Sequence, residues 1–390
     1  MATKSLARAG GRTPGVELRK GNPAKASGAT SEALADELAA SRQSSEPLRF
    51  VCLGGGTGLA VLLQGLKAYV YPPYRPAPRL APDNRFEPAE ITAIVTVTDD
   101  GGSSGRLRRE FSVLPPGDIR NCIVALAEDE DMLSHLLQYR FGSGHGLKGH
   151  SFGNLFLTAL TRLTGDFQQA VQVSSEVLAI RGRIFPSTAM DVGLLAELEN
   201  GRTVHGESRI GRSRSRIRAL RLSHNPCQPL PETLEAIARA DLITLGPGSL
   251  YTSVIPHLLM NGVPQALAAS RAVKAYVCNL MSQPGESIGY TAADHLRAIL
   301  AHAGVNHARR PLLDYVIVNS RKAPPRVIHR YSRHRAHQVE TDWESLSAQR
   351  VQVLAEDLLA EGPVVRHHPA RLAALLVGLA RQGKMERLGS

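Results

Sequence analysis

Near residue 50 the chain runs from a short strand pattern straight into glycine and then into a helix. Arg49-Phe50-Val51-Cys52-Leu53 reads as a buried strand, and it enters Gly54-Gly55-Gly56-Thr57-Gly58 with no spacer. Leu59, Leu62, Leu63 and Leu66 follow at helical spacing. A strand that turns through glycine directly into a helix is one half of a βαβ unit, and its strand needs parallel neighbours. The pattern recurs. Ile91–Thr98 is β-branched and ends at Asp99-Asp100-Gly101-Gly102. Asp241–Leu245 reads as a strand, Gly246-Pro247-Gly248-Ser249 as a turn and Leu250–Met260 as a helix. Ala275–Leu280 and Tyr315–Asn319 read as strands flanking a helix at Thr291–Ala303. Between them, Pro115-Pro116-Gly117-Asp118 opens one long helix through Ile119, Ile123, Leu126, Leu133, Leu136 and Leu137, and Asn154–Ile180 is also helical in pattern. The expected fold is α/β, a mainly parallel sheet with helices on both faces.

The ends and insertions depart from this rhythm. Residues 1–46 hold no aromatic residue and too little apolar surface to offset their ordering entropy, so a disordered tail is expected. Residues 71–90 form a Pro-rich insertion within a main domain of 47–335. From Asp342 the pattern reads as wholly helical, which predicts a helical C-terminal extension over 336–390 packed as an appendage. Its exposed helices leave a surface for a homodimer.

Composition narrows the class. Of 390 residues 43% are hydrophobic and 21% charged, which excludes fibrous and wholly disordered chains. No apolar run approaches the ~20 residues of a membrane span, and the basic N-terminus lacks the apolar core of a signal peptide. Cys52, Cys122, Cys227 and Cys278 lie far apart, indicating neither a disulfide framework nor a zinc ribbon. A cytoplasmic protein is expected. The formal net charge is +11, concentrated at Arg202–Arg221 and Arg309–Arg335. Arg212, Arg214, Arg216 and Arg218 alternate at strand period, which places them on one face of an expected strand. No aromatic residue is interleaved there and no nucleic-acid motif accompanies them, so an anion-facing or solvated edge is favoured over nucleic acid.

Ligands of open parallel sheets bind beyond the carboxyl ends of the strands. Gly54–Gly58 at a helix N-terminus suits a phosphate, although the dinucleotide fingerprint fails at Leu59 and no Walker lysine follows. Gly246–Ser249 offers a second phosphate or ribose cradle. Asp99 and Asp100 suit Mg²⁺ or a sugar hydroxyl, or are acids of a solvated turn. Asp118 reads either as a helix cap or, with Arg120 and Asn121, as part of a site, and His150 beside Lys148 reads either way. Gly149-His150-Ser151-Phe152-Gly153 matches a hydrolase nucleophile elbow in letters only, because a Gly-rich loop precedes it where a strand is required.

Taken in order, these loops resemble a known family. They are Gly54–Leu59, Thr98–Arg108, Pro116–Cys122, Gly149–Asn154, Leu245–Ser253 and Asn279–Glu286, with a weak echo at His367-His368-Pro369. The set is similar to the YvcK-type gluconeogenesis factors of bacteria, a branch of the CofD-like superfamily, over roughly Leu48 to Ser320. The resemblance implies a Rossmann-like three-layer α/β/α fold and a cytoplasmic protein that binds UDP-sugars such as UDP-N-acetylglucosamine. It also implies a tie to cell shape, envelope synthesis and growth on gluconeogenic carbon sources, with envelope-synthesis regulatory proteins as partners. Nucleotide contacts then fall to Gly54, Gly55, Gly56, Thr57, Gly58, Asp100, Ser103, Ser104, Asn154, Gly246, Pro247, Gly248, Ser249 and Thr252, with Asp118, Arg120, Asn121 and His150 as secondary candidates. No tightly bound redox cofactor is implied. The alternative is the CofD-type activity, Mg²⁺-dependent transfer of 2-phospho-L-lactate from a guanosine diphosphate carrier to a deazaflavin, with Asp99 and Asp100 as catalytic and metal-binding residues. Where such transferases usually carry an aromatic residue, this chain reads Gly101-Gly102-Ser103-Ser104-Gly105, which looks like the gluconeogenesis-factor branch.

Overall fold

The computed structural model describes residues 46–70, 89–128, 132–305 and 311–389. Residues 1–45 of the expected tail and 71–88 of the Pro-rich insertion lie outside them. Seven strands form one parallel sheet: β1 (Leu48–Gly54), β2 (Ala89–Val95), β3 (Arg183–Pro186), β7 (Leu242–Leu245), β8 (Val273–Val277), β9 (Tyr315–Asn319) and β10 (Gln352–Glu356). Their spatial order is β10-β9-β8-β7-β1-β2-β3. The chain therefore builds outward from β1 to one edge, then returns to β1's other side at β7 and builds to the opposite edge. A second, three-stranded antiparallel sheet, β5 (Thr203–His205), β4 (Leu194–Leu198) and β6 (Ile217–Leu222), lies between β3 and β7 in sequence.

The layers follow from side-chain alternation along the strands. Phe50 and Cys52 point into one core, against α1 (Gly56–Leu66), α3 (Gly117–Leu126) and the C-terminal helix. Val51 and Leu53 point into the other, which contains the helical stretches from Ile255 to Ala303 and the inner face of the small sheet. β1 is buried along nearly its whole length, as a parallel strand covered on both sides must be. The result is the expected Rossmann-like α/β fold. Between β2 and β3 run α2 (Gly102–Phe111), α3, α4 (Met132–Gln138), α5 (Phe152–Thr164) and α6 (Phe167–Val177).

Several expectations need correction. The expected C-terminal helical segment is present, but the chain after Asp342 is not wholly helical. Its final helix (Pro369–Leu388) is present, but Gln352–Glu356 is β10, a full member of the main sheet. The strand ends in Gln and Glu and is only half-buried at the sheet edge, so its hydrophobic signal is weak. The final helix packs on α1 so closely that a Cβ on Gly65 would sit 2.2 Å from the Pro369 carbonyl oxygen. The helix expected from Asp118 through Leu137 is two helices, α3 and α4. The alternating arginines do not share a strand: Arg212, Arg214 and Arg216 precede β6, and only Arg218 and Arg221 lie in it. The expected helix at Leu250–Met260 begins with a π-helical turn over Leu250–Val254.

Gly65→Val drives a branched side chain into the backbone where the final helix begins. It is expected to cost roughly 1–3 kcal/mol, read as a lowered urea midpoint with an unchanged slope. A loosely attached C-terminal helix would absorb the change without loss.

Candidate functional site

The order in which the chain adds strands reverses between β1 and β7, which run parallel, so their following loops leave side by side. In sheets of this kind the crevice at that point is where ligands bind. The two loops touch through backbone: a Cβ on Gly58 would sit 2.7 Å from the Pro247 carbonyl oxygen. Buried His257 fastens the first loop from beneath, with Nε2 3.2 Å from the Gly54 carbonyl oxygen. Burial holds that imidazole down at a pKa of about 4, so it is neutral and donates Nε2–H.

Above the loops opens a cavity of about 590 Å³, within the size of ordinary small-ligand clefts. One wall is Gly55–Gly58 and Val61, and the facing wall is Pro247–Ser249 with Ser253. The floor and rim come from segments distant in sequence: Asn279–Pro284, Tyr331, His334, Ala336 and Val364–His367. Among the described residues no Asp or Glu lines it, while Arg366 does. The N–H groups of Thr57 and Gly58 belong to the first turn of α1, where no helical carbonyl is available to them. Gln283 Nε2 donates to Ser249 Oγ at 2.7 Å, and Asn279 Nδ2 donates to Gln283 Oε1 at 3.3 Å. Asn279 Oδ1 is buried and accepts no hydrogen bond. His367 Nε2 lies 3.2 Å from the Cys278 carbonyl oxygen, and burial holds that ring neutral with a pKa of about 4.

Behind the glycine loop lies a second neighbourhood, and it is acidic. Asp99 Oδ1 accepts the Gly101 N–H at 2.8 Å, and Asp100 Oδ1 accepts the Ser208 N–H at 2.8 Å, fixing α7 (Glu207–Ile210) to the acidic loop. Asp118 accepts the Gly56 N–H, and burial together with Asp99 pushes its carboxyl up to about 6. Glu207 is pushed further, to about 9, by burial and then by Asp99, Asp118, Glu286 and Asp100. Buried Glu286 rises to about 7 although it accepts the Tyr251 N–H and the Thr252 hydroxyl. Among the described residues no three Asp, Glu, His or Cys side chains converge as ligands of one metal ion.

The sequence candidates therefore divide. Gly55, Gly56, Thr57, Gly58, Pro247, Gly248 and Ser249 line the cavity, while Gly54 and Gly246 stand directly beneath it at the strand ends. Ser103, Ser104, Asn154, Arg120 and His150 form instead a hydrogen-bonded tie between loops. Ser103 Oγ lies 3.0 Å from His150 Nδ1, Asn154 Nδ2 donates to Ser104 Oγ at 3.3 Å, and Arg120 donates to Ser151 Oγ and Asn154 Oδ1. Thr252 is buried against Glu286. Asn121 borders a smaller hollow that shares Thr57 and Arg366 with the main cavity. Ser151 caps α5 and ends no strand, consistent with rejecting a hydrolase elbow. Sequence reasoning assigned no role to Glu207, Glu286, His257, Asn279, Gln283, Arg366 and His367. The Asn279–Glu286 motif and the His367-His368-Pro369 echo already stood in the family pattern and were the available signal.

A Rossmann-like α/β protein with its cleft at the switch point is thus defined by fold and geometry together. Residues 50–359 match the family described as 2-phospho-L-lactate transferase CofD, and the chain belongs to that family. Among its relatives, a protein from Nostoc sp. is 47% identical over 360 residues, covering 90% of this chain and 74% of that one. A Bacillus subtilis protein named gluconeogenesis factor is 43% identical over 335 residues, covering 86% of this chain and 98% of that one. A crystal structure of a UPF0052-family protein from Bacillus halodurans superposes with a TM-score of 0.77 at 42% identity, covering 85% of this chain and 99% of that one. Among the described residues no helix is long and apolar enough to cross a membrane.

Two outcomes test this geometry. Gly58→Ala places a methyl against the Pro247 carbonyl and is expected to lower the thermal midpoint, by roughly 1–3 kcal/mol in stability. Glu207 binds its proton more tightly when folded, with its pKa raised from 4.5 to about 9, so its stabilising effect is full below 4.5 and is lost as pH rises toward 9. Glu207→Gln should therefore flatten the fall in melting temperature between those limits. An unchanged pH profile would show that this carboxyl does not titrate as the packing requires.

Proposed function

We propose that this chain is a cytoplasmic nucleotide-sugar-binding factor of the gluconeogenesis-factor type, with UDP-N-acetylglucosamine or a related UDP-sugar as ligand. The observation that carries the reading is the acid-free cavity at the switch point, with a helix N-terminus on one wall and Arg366 at its rim. A diphosphate laid across Gly55–Gly58 and Gly248–Ser249 meets backbone N–H groups, the positive end of α1 and a guanidinium. Asn279 Oδ1, buried and unsatisfied, supplies an acceptor for a hydroxyl or ring N–H of the ligand. The names of the relatives support a role in gluconeogenic growth for this chain, and envelope synthesis is the process such a ligand would report on. Mg²⁺ suits the acidic side: Asp99 and Asp118 are two carboxylates beside the phosphate loop, and this ion is commonly held by one or two carboxylates plus substrate phosphates. Asp100 is the less suitable partner because Ser208 already engages it.

The second reading, phospholactate transfer to a deazaflavin, rests on the description of the matched family. A flavin-like acceptor calls for aromatic walls, and among the described residues Tyr331 is the only Phe, Tyr or Trp lining this cavity.

Calorimetry with UDP-N-acetylglucosamine, UDP-glucose, GDP and NAD, each with and without Mg²⁺, separates the two. The UDP-sugars are expected to bind one per chain, and Arg366→Ala to weaken them roughly 10- to 100-fold, the worth of a charge-assisted hydrogen bond. Binding of GDP with Mg²⁺ alone, followed by turnover of a deazaflavin, would replace this reading with the transferase.

A further inference from the structure

The arginines of residues 202–221 do not lie along one strand face, and where they do lie is more informative. Beside the small antiparallel sheet is a second cavity of about 550 Å³, walled by the β4–β5 turn, α7 and the loop before β6. Arg202, Arg209, Arg212 and Arg214 line it together with His205, and among the described residues no Asp or Glu does. The neighbouring arginines have their own partners. Arg218 and Arg221 both pair with Glu197, and the Arg216 guanidinium lies 5.5 Å from the Tyr290 ring centroid. Among the described residues, none of the four cavity arginines makes a side-chain hydrogen bond or ion pair with protein. The one acid within their segment, Glu207, is turned the other way, with Oε2 3.5 Å from Thr98 Oγ1 in the acidic neighbourhood.

Four unpaired guanidiniums around one hollow repel each other at a cost that an anion in the hollow removes. We infer that this cavity is a second ligand site, for a small molecule carrying two or more linked phosphate groups. Each guanidinium offers two parallel N–H donors to a phosphate, so four of them suit more than one phosphate group. Asn200, Thr203, Ser213 and Ser215 add uncharged polar groups to the same wall. The shape selects against nucleic acid, because the charge converges in a hollow rather than tracking a surface and, among the described residues, no aromatic side chain lines it for base stacking. The site is separate from the switch-point cavity and does not rest on the proposed nucleotide-sugar reading. α7 nonetheless spans the two regions: Arg209 faces this cavity, and the Ser208 N–H holds Asp100.

The test is calorimetry of the full chain with tripolyphosphate, pyrophosphate and inorganic phosphate at constant ionic strength. One tripolyphosphate per chain is expected, with inorganic phosphate markedly weaker. Arg209→Ala/Arg212→Ala should weaken tripolyphosphate roughly tenfold or more, as loss of charge-assisted contacts does, while Arg366→Ala in the first cavity leaves it unchanged. These arginines are exposed, so the fold should survive, and the milder Arg212→Gln/Arg214→Gln pair gives the same readout if the first variant melts early. The inference is overturned if the double variants bind as the parent does, if Arg366→Ala alone abolishes binding, or if no tripolyphosphate binds. A duplex oligonucleotide that binds more tightly than tripolyphosphate and displaces it would assign the patch to nucleic acid and also overturn it.

Discussion

The contact between two glycine loops organises this molecule. Gly54–Gly58 and Gly246–Ser249 leave adjacent strands in the same direction, and they approach until backbone meets backbone at Gly58 and Pro247. That approach requires β1 to sit between β2 and β7, which in turn requires the sheet to be built outward in both directions. The two facing glycine walls of the cavity follow from it. A neutral, buried His257 beneath the loop is part of the same constraint, because a charged imidazole there would have no counterion.

Much of this was legible in the chain. β1 and its loop announce themselves because a doubly covered parallel strand must be continuously apolar and the close approach must be glycine. β9 at Tyr315–Asn319 was legible for the same reason, and its limits agree with the sequence reading. β10 was not, since an edge strand buries only part of its surface and Gln352 and Glu356 carry no periodic signal. The small antiparallel sheet was missed because β5 has no buried position and β6 alternates irregularly between buried and exposed residues. The period-2 arginines illustrate how alternation misleads: part of it belongs to a turn in which Ser213 Oγ bonds the Ser215 backbone.

The candidate site shows a similar division. Loop residues that touch through the backbone left the plainest motif, whereas Asn279 reaches the same cavity from just past β8, and Arg366 and His367 from the segment before the final helix. Only folding brings them together, and no spacing rule connects them. In the other direction, Asn154, Ser104 and Arg120 carry motif signal and are hydrogen-bonded to one another between loops. A motif marks a residue as constrained, and a hydrogen-bonded tie constrains as firmly as a ligand does.

The central place of β1 also has a temporal side. Its partner β2 follows closely in sequence, but β7 is synthesised roughly 190 residues later, which at typical translation rates is about 10–40 s. Throughout that interval one edge of β1 is without its neighbour, and the nascent chain presents an open parallel edge of the kind that captures other strands. The arrangement that shapes the cleft thus leaves β1 paired on one side alone in the growing chain until residue 245 has emerged.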